Sequence, residues 1–134
     1  MSIEHSTRLS VCRFDQSQEV MIYLRVQAFE ETGYRGIISK GWSGLGEGME
    51  VPDNILLIGD CPHDWLFSRV AAVCHHGGAG TTATGLLAGR PTIICPFFGD
   101  QPFWAQMVAT QKVGTATWHG YYYVGKTNIL FSTS

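Results

Sequence analysis

The fold of this chain is decided by the stretch Val70-Ala71-Ala72-Val73-Cys74-His75-His76-Gly77-Gly78-Ala79-Gly80-Thr81-Thr82. The apolar run at residues 70–74 predicts a buried strand, and residues 81–87 predict a helix. A strand, a glycine turn and a helix in this order direct several backbone N–H groups and a helix dipole at one anion. Glycine suits this turn because a Cβ would hold a phosphate away from the backbone.

Strand and helix patterns alternate along the rest of the chain. Ser17 can cap a helix that runs to Thr32, with Gly33 as its stop. The other predicted strands are 9–14, 36–39, 55–58 and 92–95, and the other predicted helices are 62–69 and 101–112, the last ended by Gly114. This alternation predicts an α/β protein with a Rossmann-like parallel sheet flanked by helices. The length of 134 residues suits one small domain.

Composition excludes several classes of protein. The chain is 45% hydrophobic and 15% charged, which is typical of a globular domain. Its net charge of −2, with nine scattered Lys and Arg, argues against a nucleic-acid surface. No apolar stretch approaches the roughly 20 residues of a membrane span, and the first residues lack a signal-peptide pattern. Cys74 and Cys95 lie in apolar runs, so we expect free thiols and a reducing, cytoplasmic setting.

The glycine turn is open to more than one interpretation. Residues 78–83 fit the dinucleotide fingerprint G-x-G-x-x-A, which is a permissive pattern. Asp100 even falls at about the spacing of the acid that binds ribose in that fingerprint. That acid should end a strand directly, however, and residues 96–99 separate Asp100 from its strand. A dinucleotide-dependent oxidoreductase and a tight turn without any ligand both stay as alternatives.

Histidine adds a second indication of an anion site. His75 follows the strand directly, where an imidazole N–H can donate to a phosphate oxygen. The alternative for His75 is a buried structural histidine, and we expect His76 to be structural or partly exposed. Residue types that can bind zinc also occur nearby, at Cys61, His63, Cys74, His75 and His76. Their spacing matches no standard zinc pattern, so we expect no metal site.

Asp100 and Gln101 form a second polar group, before a predicted helix. Their carboxylate and amide suit the vicinal hydroxyls of a sugar. Asp100 also precedes a helix that begins at proline, so an N-cap is the alternative role. The two roles are compatible if Asp100 caps the helix while Gln101 points outward.

Three segments in this order resemble the donor-binding signature of UDP-glycosyltransferases, and most narrowly that of the sterol 3β-glucosyltransferases. They are Cys61-Pro62-His63-Asp64-Trp65-Leu66-Phe67, the segment from His75 to Thr82, and Pro96-Phe97-Phe98-Gly99-Asp100-Gln101-Pro102-Phe103-Trp104. That family has the two-lobed GT-B fold, and this chain resembles its C-terminal half. We therefore divide the chain into an atypical N-terminal segment (1–18), a partial nucleotide-sugar-binding domain (19–116) and an atypical C-terminal tail (117–134).

The resemblance implies a role for each site residue. The groups that would contact the diphosphate belong to His75, Gly77, Gly78, Ala79, Gly80, Thr81 and Thr82. Asp100 and Gln101 would bind the sugar, and Pro62 and His63 would contact the uracil through main chain. UDP-glucose would be a co-substrate, and no cofactor or metal is implied. The complete enzyme would transfer glucose to a sterol or other lipid hydroxyl with inversion.

The chain departs from the family pattern at important positions. The glutamate that binds ribose in plant members is Ala83 here, so the ribose contact is unassigned. The general base of the family, a histidine of the N-terminal lobe, has no counterpart in this sequence. The acceptor pocket of the family also has no counterpart in this sequence. We therefore expect a truncated or alternatively spliced product that by itself binds UDP-sugar weakly at best and turns over nothing measurable.

Two other interpretations of the resemblance remain. In the first, the chain is a subunit of a split glycosyltransferase, completed by a protein partner that resembles the N-terminal lobe. In the second, it is an inactive fragment that binds UDP-sugar alone. The expected partners are thus a UDP-sugar, a lipid acceptor through the missing lobe and no nucleic acid. A lipid acceptor would be compatible with peripheral association at membranes.

Overall fold

The computed structural model describes residues 9–13, 26–27, 29–40, 48 and 50–116. Within them, six parallel strands form one sheet: β1 (Leu9–Arg13), β2 (Arg35–Ser39), β3 (Ile55–Ile58), β4 (Ala72–His75), β5 (Thr92–Ile94) and β6 (Gly114–Ala116). Three helices accompany them: α1 (His63–Phe67), α2 (Ala79–Leu87) and α3 (Gln101–Thr110). Residues 26–27 and 29–32 are helical as well. The predicted α/β architecture is confirmed.

The strand order is β3-β2-β1-β4-β5-β6, with β1 in the centre. Val11 of β1 lies opposite Ile37 on one side and Val73 on the other. The chain therefore builds the sheet outward from β1 in one direction and then, from β4, in the other. Parallel sheets of this order bind ligands where the direction reverses, at the carboxyl ends of the strands. His75, the last residue of β4, lies at that point.

The sheet is buried on both faces, as a parallel sheet requires. Neighbouring residues of a strand point to opposite faces, so Ile37 and Ile38 belong to two different apolar clusters. Phe29, from the helical segment before β2, is buried on the face of Ile38. Leu66 and Phe67 of α1 cover the other face together with Ile37. The predicted apolar strands are confirmed by this packing.

Several predicted boundaries agree with the structure. The helix predicted to stop at Gly33 does so: Gly33 has φ +68° and its N–H donates to the Phe29 carbonyl at 3.0 Å. The strand predicted at residues 9–14 is β1. Its position in the centre of the sheet means that the atypical N-terminal segment contributes a strand to the fold. The division of the chain into three parts stays a prediction, since residues 117–134 lie outside the described residues.

Other predicted boundaries were wrong by a few residues. Helix α2 begins at Ala79 rather than 81, because Gly78 already has the extended backbone of an N-cap residue. The strand predicted at residues 70–74 is displaced to Ala72–His75. Gly114 does not end a helix but begins β6, where a Cβ would collide with the Thr92 carbonyl oxygen. That strand was missed because three small residues carry no strand pattern.

The start of the helix predicted from Ser17 lies outside the described residues. In the part of the chain that the structure describes, no helix has the length and apolar character needed to cross a bilayer.

Candidate functional site

His75 is fully buried at the carboxyl end of β4, with 0% of its surface exposed. Its Nδ1 accepts a hydrogen bond from the Gly77 N–H at 3.0 Å. This bond fixes the tautomer of the neutral ring, so the remaining proton is on Nε2. Among the described residues, no group accepts a hydrogen bond from buried Nε2. A buried donor without an acceptor is costly, and a ligand oxygen would remove that cost.

The environment of His75 keeps its ring neutral. Burial, and then the nearby His76 and His63, lower the pKa of His75 from 6.5 to about 3. The ring therefore offers an uncharged N–H donor at neutral pH. Helix α1, which begins at His63, contacts α2, so the first two signature segments lie side by side.

The three glycines of the turn occur at their positions for different physical reasons. Gly77 has φ +94°, and a Cβ there would lie 2.6 Å from Cγ2 of Ile94. A Cβ on Gly78 would lie 2.6 Å from Nε2 of His76. Gly77 thus requires glycine for folding, whereas a Cβ at Gly78 would only have to displace the end of the His76 side chain. At Gly80 a Cβ would have no atom of the described residues within 4 Å, so their packing does not explain that glycine.

The first turn of α2 presents unpaired donors. Gly78 is its N-cap residue and makes no side-chain cap, and the first turn has no acidic residue. The first N–H bonded within the helix is that of Thr82, which donates to the Gly78 carbonyl at 2.9 Å. The N–H groups of Ala79, Gly80 and Thr81 therefore have no acceptor within the helix. With the helix dipole, they are suited to bind an anion beside His75.

Thr82 differs from the other residues of the predicted phosphate site. Its N–H is used within the helix, and only 2% of its surface is exposed. Its buried hydroxyl has no hydrogen-bond partner among the described residues. Thr81 is half-buried and retains its N–H for a ligand. Of the two threonines, the geometry thus favours Thr81 as a phosphate ligand.

Gln101 and Asp100 lie on the neighbouring turn, where the prediction for Gln101 was wrong and Asp100 is the N-cap residue of α3 as predicted, although its side chain does not cap the helix. Gln101 does not point outward: it is 7% exposed, and its Oε1 accepts from the N–H groups of Phe97 and Phe98 at 2.8 and 3.0 Å. Asp100 makes no side-chain cap, since its Oδ2 accepts from the Trp104 indole N–H at 2.9 Å. The cause is the tight turn after β5, whose backbone N–H groups need acceptors.

The predicted uracil segment borders an open depression. His63 begins α1, and its ring stacks on Phe67 with centroids 4.9 Å apart. Pro62 is the N-cap residue of α1, and its carbonyl accepts from the Leu66 N–H at 3.0 Å. The depression, of about 570 Å³, is lined by Asp60, Cys61, Pro62, His63, Asp64 and Thr84. The predicted phosphate and uracil segments therefore adjoin each other.

Asp60 and Asp64 were not predicted as site residues. A usable signal was present: two acids flank the Cys-Pro-His sequence directly after the strand at 55–58. Side chains after a parallel strand lie at the carboxyl edge of the sheet, where ligands bind.

The structure does not gather the five zinc-type residues into a metal centre. Within the described ranges, no three His, Cys, Asp or Glu side chains are placed to hold one ion. Sγ of Cys74 and Sγ of Cys95 lie 3.9 Å apart in the apolar cluster on the face opposite His75.

Comparisons with known proteins agree with this geometry. The family model of the erythromycin biosynthesis protein CIII-like C-terminal domain matches residues 42–121. Sterol 3-beta-glucosyltransferase UGT80B1 of Arabidopsis thaliana is 53% identical over 103 residues, which are 76% of this chain and 16% of that protein. The chain thus spans about a sixth of that relative's length.

Solved structures show the same fold. The glycotransferase of kitacinnamycin superposes with a TM-score of 0.83 at 19% identity, covering 92% of this chain and 34% of that one. Os79 from O. sativa in complex with UDP superposes with a TM-score of 0.75 at 12% identity, covering 93% and 30%. The predicted fold, the C-terminal half of a GT-B glycosyltransferase, is confirmed. The chain therefore belongs to the family of the erythromycin biosynthesis protein CIII-like C-terminal domain.

Proposed function

We propose that this chain is the donor-binding part of a UDP-glycosyltransferase of the sterol glucosyltransferase type. In the complete enzyme, glucose passes from UDP-glucose to a lipid hydroxyl with inversion. One observation carries the proposal: the buried, neutral His75 has an Nε2–H that finds no acceptor in the described part of the chain, next to the uncapped first turn of α2. The relative named as a sterol 3-beta-glucosyltransferase and the UDP complex of Os79 support the choice of donor and acceptor.

The diphosphate binds at the first turn of α2. His75 donates its Nε2–H to one phosphate oxygen, and the N–H groups of Ala79, Gly80 and Thr81 donate to others. When the sugar leaves, negative charge grows on the diphosphate. Donors that are already oriented at that charge stabilise the transition state without rearrangement. In this proposal the protein's own dipoles stabilise the charge on the leaving diphosphate, and neither a metal nor a cofactor takes part.

The sugar binds at the turn before α3. The Asp100 carboxylate is exposed and held by the Trp104 indole, so it can accept from sugar hydroxyls. Gln101 uses its Oε1 within the protein and contributes its amide N–H₂ instead. Pro62 and His63 contact the uracil.

The acceptor side belongs to the other lobe. A general base there removes the proton of the lipid hydroxyl, and the acceptor pocket lies beside it. The N-terminal lobe, in the same chain or in a protein partner, covers the carboxyl edge of the sheet. Phe97, Phe98 and Phe103 support this arrangement, because they lie next to Asp100 and are 43%, 55% and 55% exposed.

A calorimetric titration of the purified chain with UDP and with UDP-glucose tests the proposal. We expect saturable binding that His75→Ala weakens about 10- to 100-fold, because it removes a hydrogen bond to a charged group. Gln106→Ala is the matched control, since Gln106 is exposed on α3. Folded chain that binds no UDP, or equal affinity in the His75→Ala variant, would contradict the proposal. Sterol glucosylation by this chain alone would contradict the need for a second lobe.

A further inference from the structure

Two thiols on the face of the sheet opposite His75 have no role in the proposed function. Cys74 lies in β4 and Cys95 directly follows β5, and both are buried, with 8% and 3% of their surface exposed. Their Sγ atoms lie 3.9 Å apart, so the two sulfurs are in contact without a covalent bond. An S–S bond has a length of about 2.05 Å. The pair is therefore a dithiol that a two-electron oxidation can close.

The strand register places the two cysteines slightly too far apart for a relaxed disulfide. Ile93 is the register partner of Cys74, so Cys95, two residues further, is the diagonal neighbour of Cys74 on the same face. From a strand spacing of about 4.8 Å and a rise of about 3.3 Å per residue, their Cα atoms are about 8 Å apart. Disulfides span Cα separations of up to about 6.8 Å. The bond can therefore form only if the ends of β4 and β5 move relative to each other by about 1 Å.

A movement of these strand ends reaches the proposed phosphate site directly. The Cys95 N–H donates to the His75 carbonyl at 2.9 Å, so Cys95 is hydrogen-bonded to the residue that follows Cys74. Ile94, which precedes Cys95, packs on the glycine turn, because a Cβ on Gly77 would lie 2.6 Å from its Cγ2. A shift at the end of β5 therefore changes the position of the glycine turn relative to His75.

We propose that Cys74 and Cys95 form a reversible disulfide that weakens donor binding at His75. The effect on binding rests on the proposed function, whereas the formation of the disulfide does not. Glutathione disulfide is the oxidant: one cysteine thiolate attacks it and releases a glutathione thiolate, and the other cysteine attacks the mixed disulfide and releases the second. The two cysteines lose two electrons and two protons, which the two released glutathione molecules take up. Because both thiols are buried, the exchange takes place when the strand ends open locally.

The disulfide and the donor oppose each other in this arrangement. UDP binds the turns in the positions that they have in the dithiol form, so it stabilises that form. By thermodynamic linkage, the disulfide then lowers the affinity for UDP by the same factor by which UDP disfavours the disulfide. This reciprocity distinguishes a coupled pair from two core cysteines that are in contact for packing alone.

The test measures both halves of this coupling on the full chain, in mixtures of reduced and oxidised glutathione. Peptide mapping without reduction gives the fraction of chain that has the Cys74–Cys95 disulfide, and calorimetry gives the affinity for UDP. We expect the oxidised chain to bind UDP about tenfold more weakly than the reduced chain. Saturating UDP should lower the equilibrium constant for disulfide formation by the same factor. Excess dithiothreitol should restore the affinity.

Single substitutions separate the disulfide from oxidation of one sulfur. Cys74→Ala and Cys95→Ala each keep one thiol of the pair, so their UDP affinity should be the same in reducing and oxidising mixtures. Cys61→Ala is the matched control: Cys61 is a partly exposed thiol outside the pair, and its variant should keep the tenfold ratio between the two mixtures. Thermal unfolding checks that each variant folds, and either alanine variant of the pair is sufficient for the comparison.

The outcomes separate this inference from the proposed function. If His75→Ala weakens UDP binding but the Cys74–Cys95 disulfide does not form, or forms and leaves the affinity unchanged, the inference is overturned and the proposed function stands. A disulfide between Cys74 and its β1 register partner Cys12 overturns it as well, and so does a loss of affinity in the oxidised Cys95→Ala variant. If folded dithiol chain binds no UDP, the proposed function fails and the coupling fails with it, whether or not the disulfide forms.

Discussion

Two strand–turn–helix units lie side by side at the carboxyl edge of the sheet, and they differ in whether their hydrogen-bond donors have acceptors within the protein. After β5, Gln101 accepts from two backbone N–H groups of the turn, and the Asp100 carboxylate is bonded to Trp104. After β4, no side chain of the described residues caps α2, and none of them accepts a hydrogen bond from the buried Nε2–H of His75. In the first unit, side chains of the protein supply these hydrogen-bond acceptors. The second has donors left over for the oxygens of a ligand, and it is the unit at which we propose that the diphosphate binds.

The two units also depend on each other. A Cβ on Gly77, in the β4 unit, would lie 2.6 Å from Ile94 and 3.3 Å from the Gln101 carbonyl oxygen. The glycine turn thus packs directly on the β5 unit. The turn after β5 therefore supports the glycine turn, at which we propose that the ligand binds.

The largest expected effect on stability comes from removing the side-chain acceptor in the turn after β5. Gln101→Met keeps the length of the side chain but removes the acceptor of the Phe97 and Phe98 N–H groups. We expect the free energy of unfolding to fall by about 2–4 kcal/mol, because two donors lose their partner. Urea denaturation measures it. The exposed Gln106 of the same helix is the control, and Gln106→Met should change stability by less than about 0.5 kcal/mol. Equal effects at both positions would remove the contrast between the turns.

The next largest expected effect is a pH dependence of the free energy of unfolding, and it comes from His75 in the turn after β4. In the unfolded chain the pKa of His75 is about 6.5, whereas in the folded chain it is about 3. Between these values the unfolded state binds the proton and the folded state does not. The stability from neutral His75 is therefore fully present above pH 6.5 and is lost as pH falls toward 3. From this residue alone, we expect the free energy of unfolding to be about 2 kcal/mol lower at pH 5 than at pH 7.

Urea denaturation at both pH values, with His75→Asn as the reference, isolates that contribution. Asparagine cannot titrate and keeps an acceptor for the Gly77 N–H. A pH dependence that is the same in both proteins would show that His75 is protonated in the folded chain.

The smallest expected change in stability is that of Gly80→Ala, in the turn after β4. We expect it to stabilise the fold and to weaken ligand binding. Gly80→Ala should raise the free energy of unfolding by about 0.5–1 kcal/mol, because alanine favours helix and the Cβ meets no atom. The same Cβ should weaken UDP binding several-fold, because it projects where a phosphate approaches the backbone. Ala109→Gly, at an exposed position of α3, should lower stability by about 1 kcal/mol and leave UDP affinity unchanged. Tighter UDP binding by Gly80→Ala would disprove that approach.

The sequence was informative wherever one physical pattern governed the structure. Apolar runs between turn residues located β2, β3 and β5 to within a residue, and Gly33 marked the end of its helix. Side-chain directions at the β5 turn could not be predicted, because they depend on which N–H groups the turn leaves inside. Neither Asp100 nor Gln101 carries that information locally. The strand β6 was missed because Gly114 is selected by its contact with the Thr92 backbone, which is visible only in three dimensions.

The candidate site divides in the same way. His75 and the residues around Gly80 were predicted from local order, strand then glycine then helix, and the structure places them together. Asp60 and Asp64 belong to another segment, which reaches the site only through the sheet topology. The roles of all these residues toward a ligand stay predictions until binding is measured.

The central position of β1 has a consequence for how the chain folds. Ser10 pairs with Gly36 on one side and with Ala72 on the other, so both neighbours are distant in sequence. Closing such long loops costs entropy before any contact repays it, and sheets built this way fold slowly. On the ribosome, β1 leaves the exit tunnel before the other strands of this sheet and stays half-paired until residues 72–75 have followed. The last contacts of the central strand thus form together with the strand that carries His75, so acquisition of the binding unit is a late event in folding.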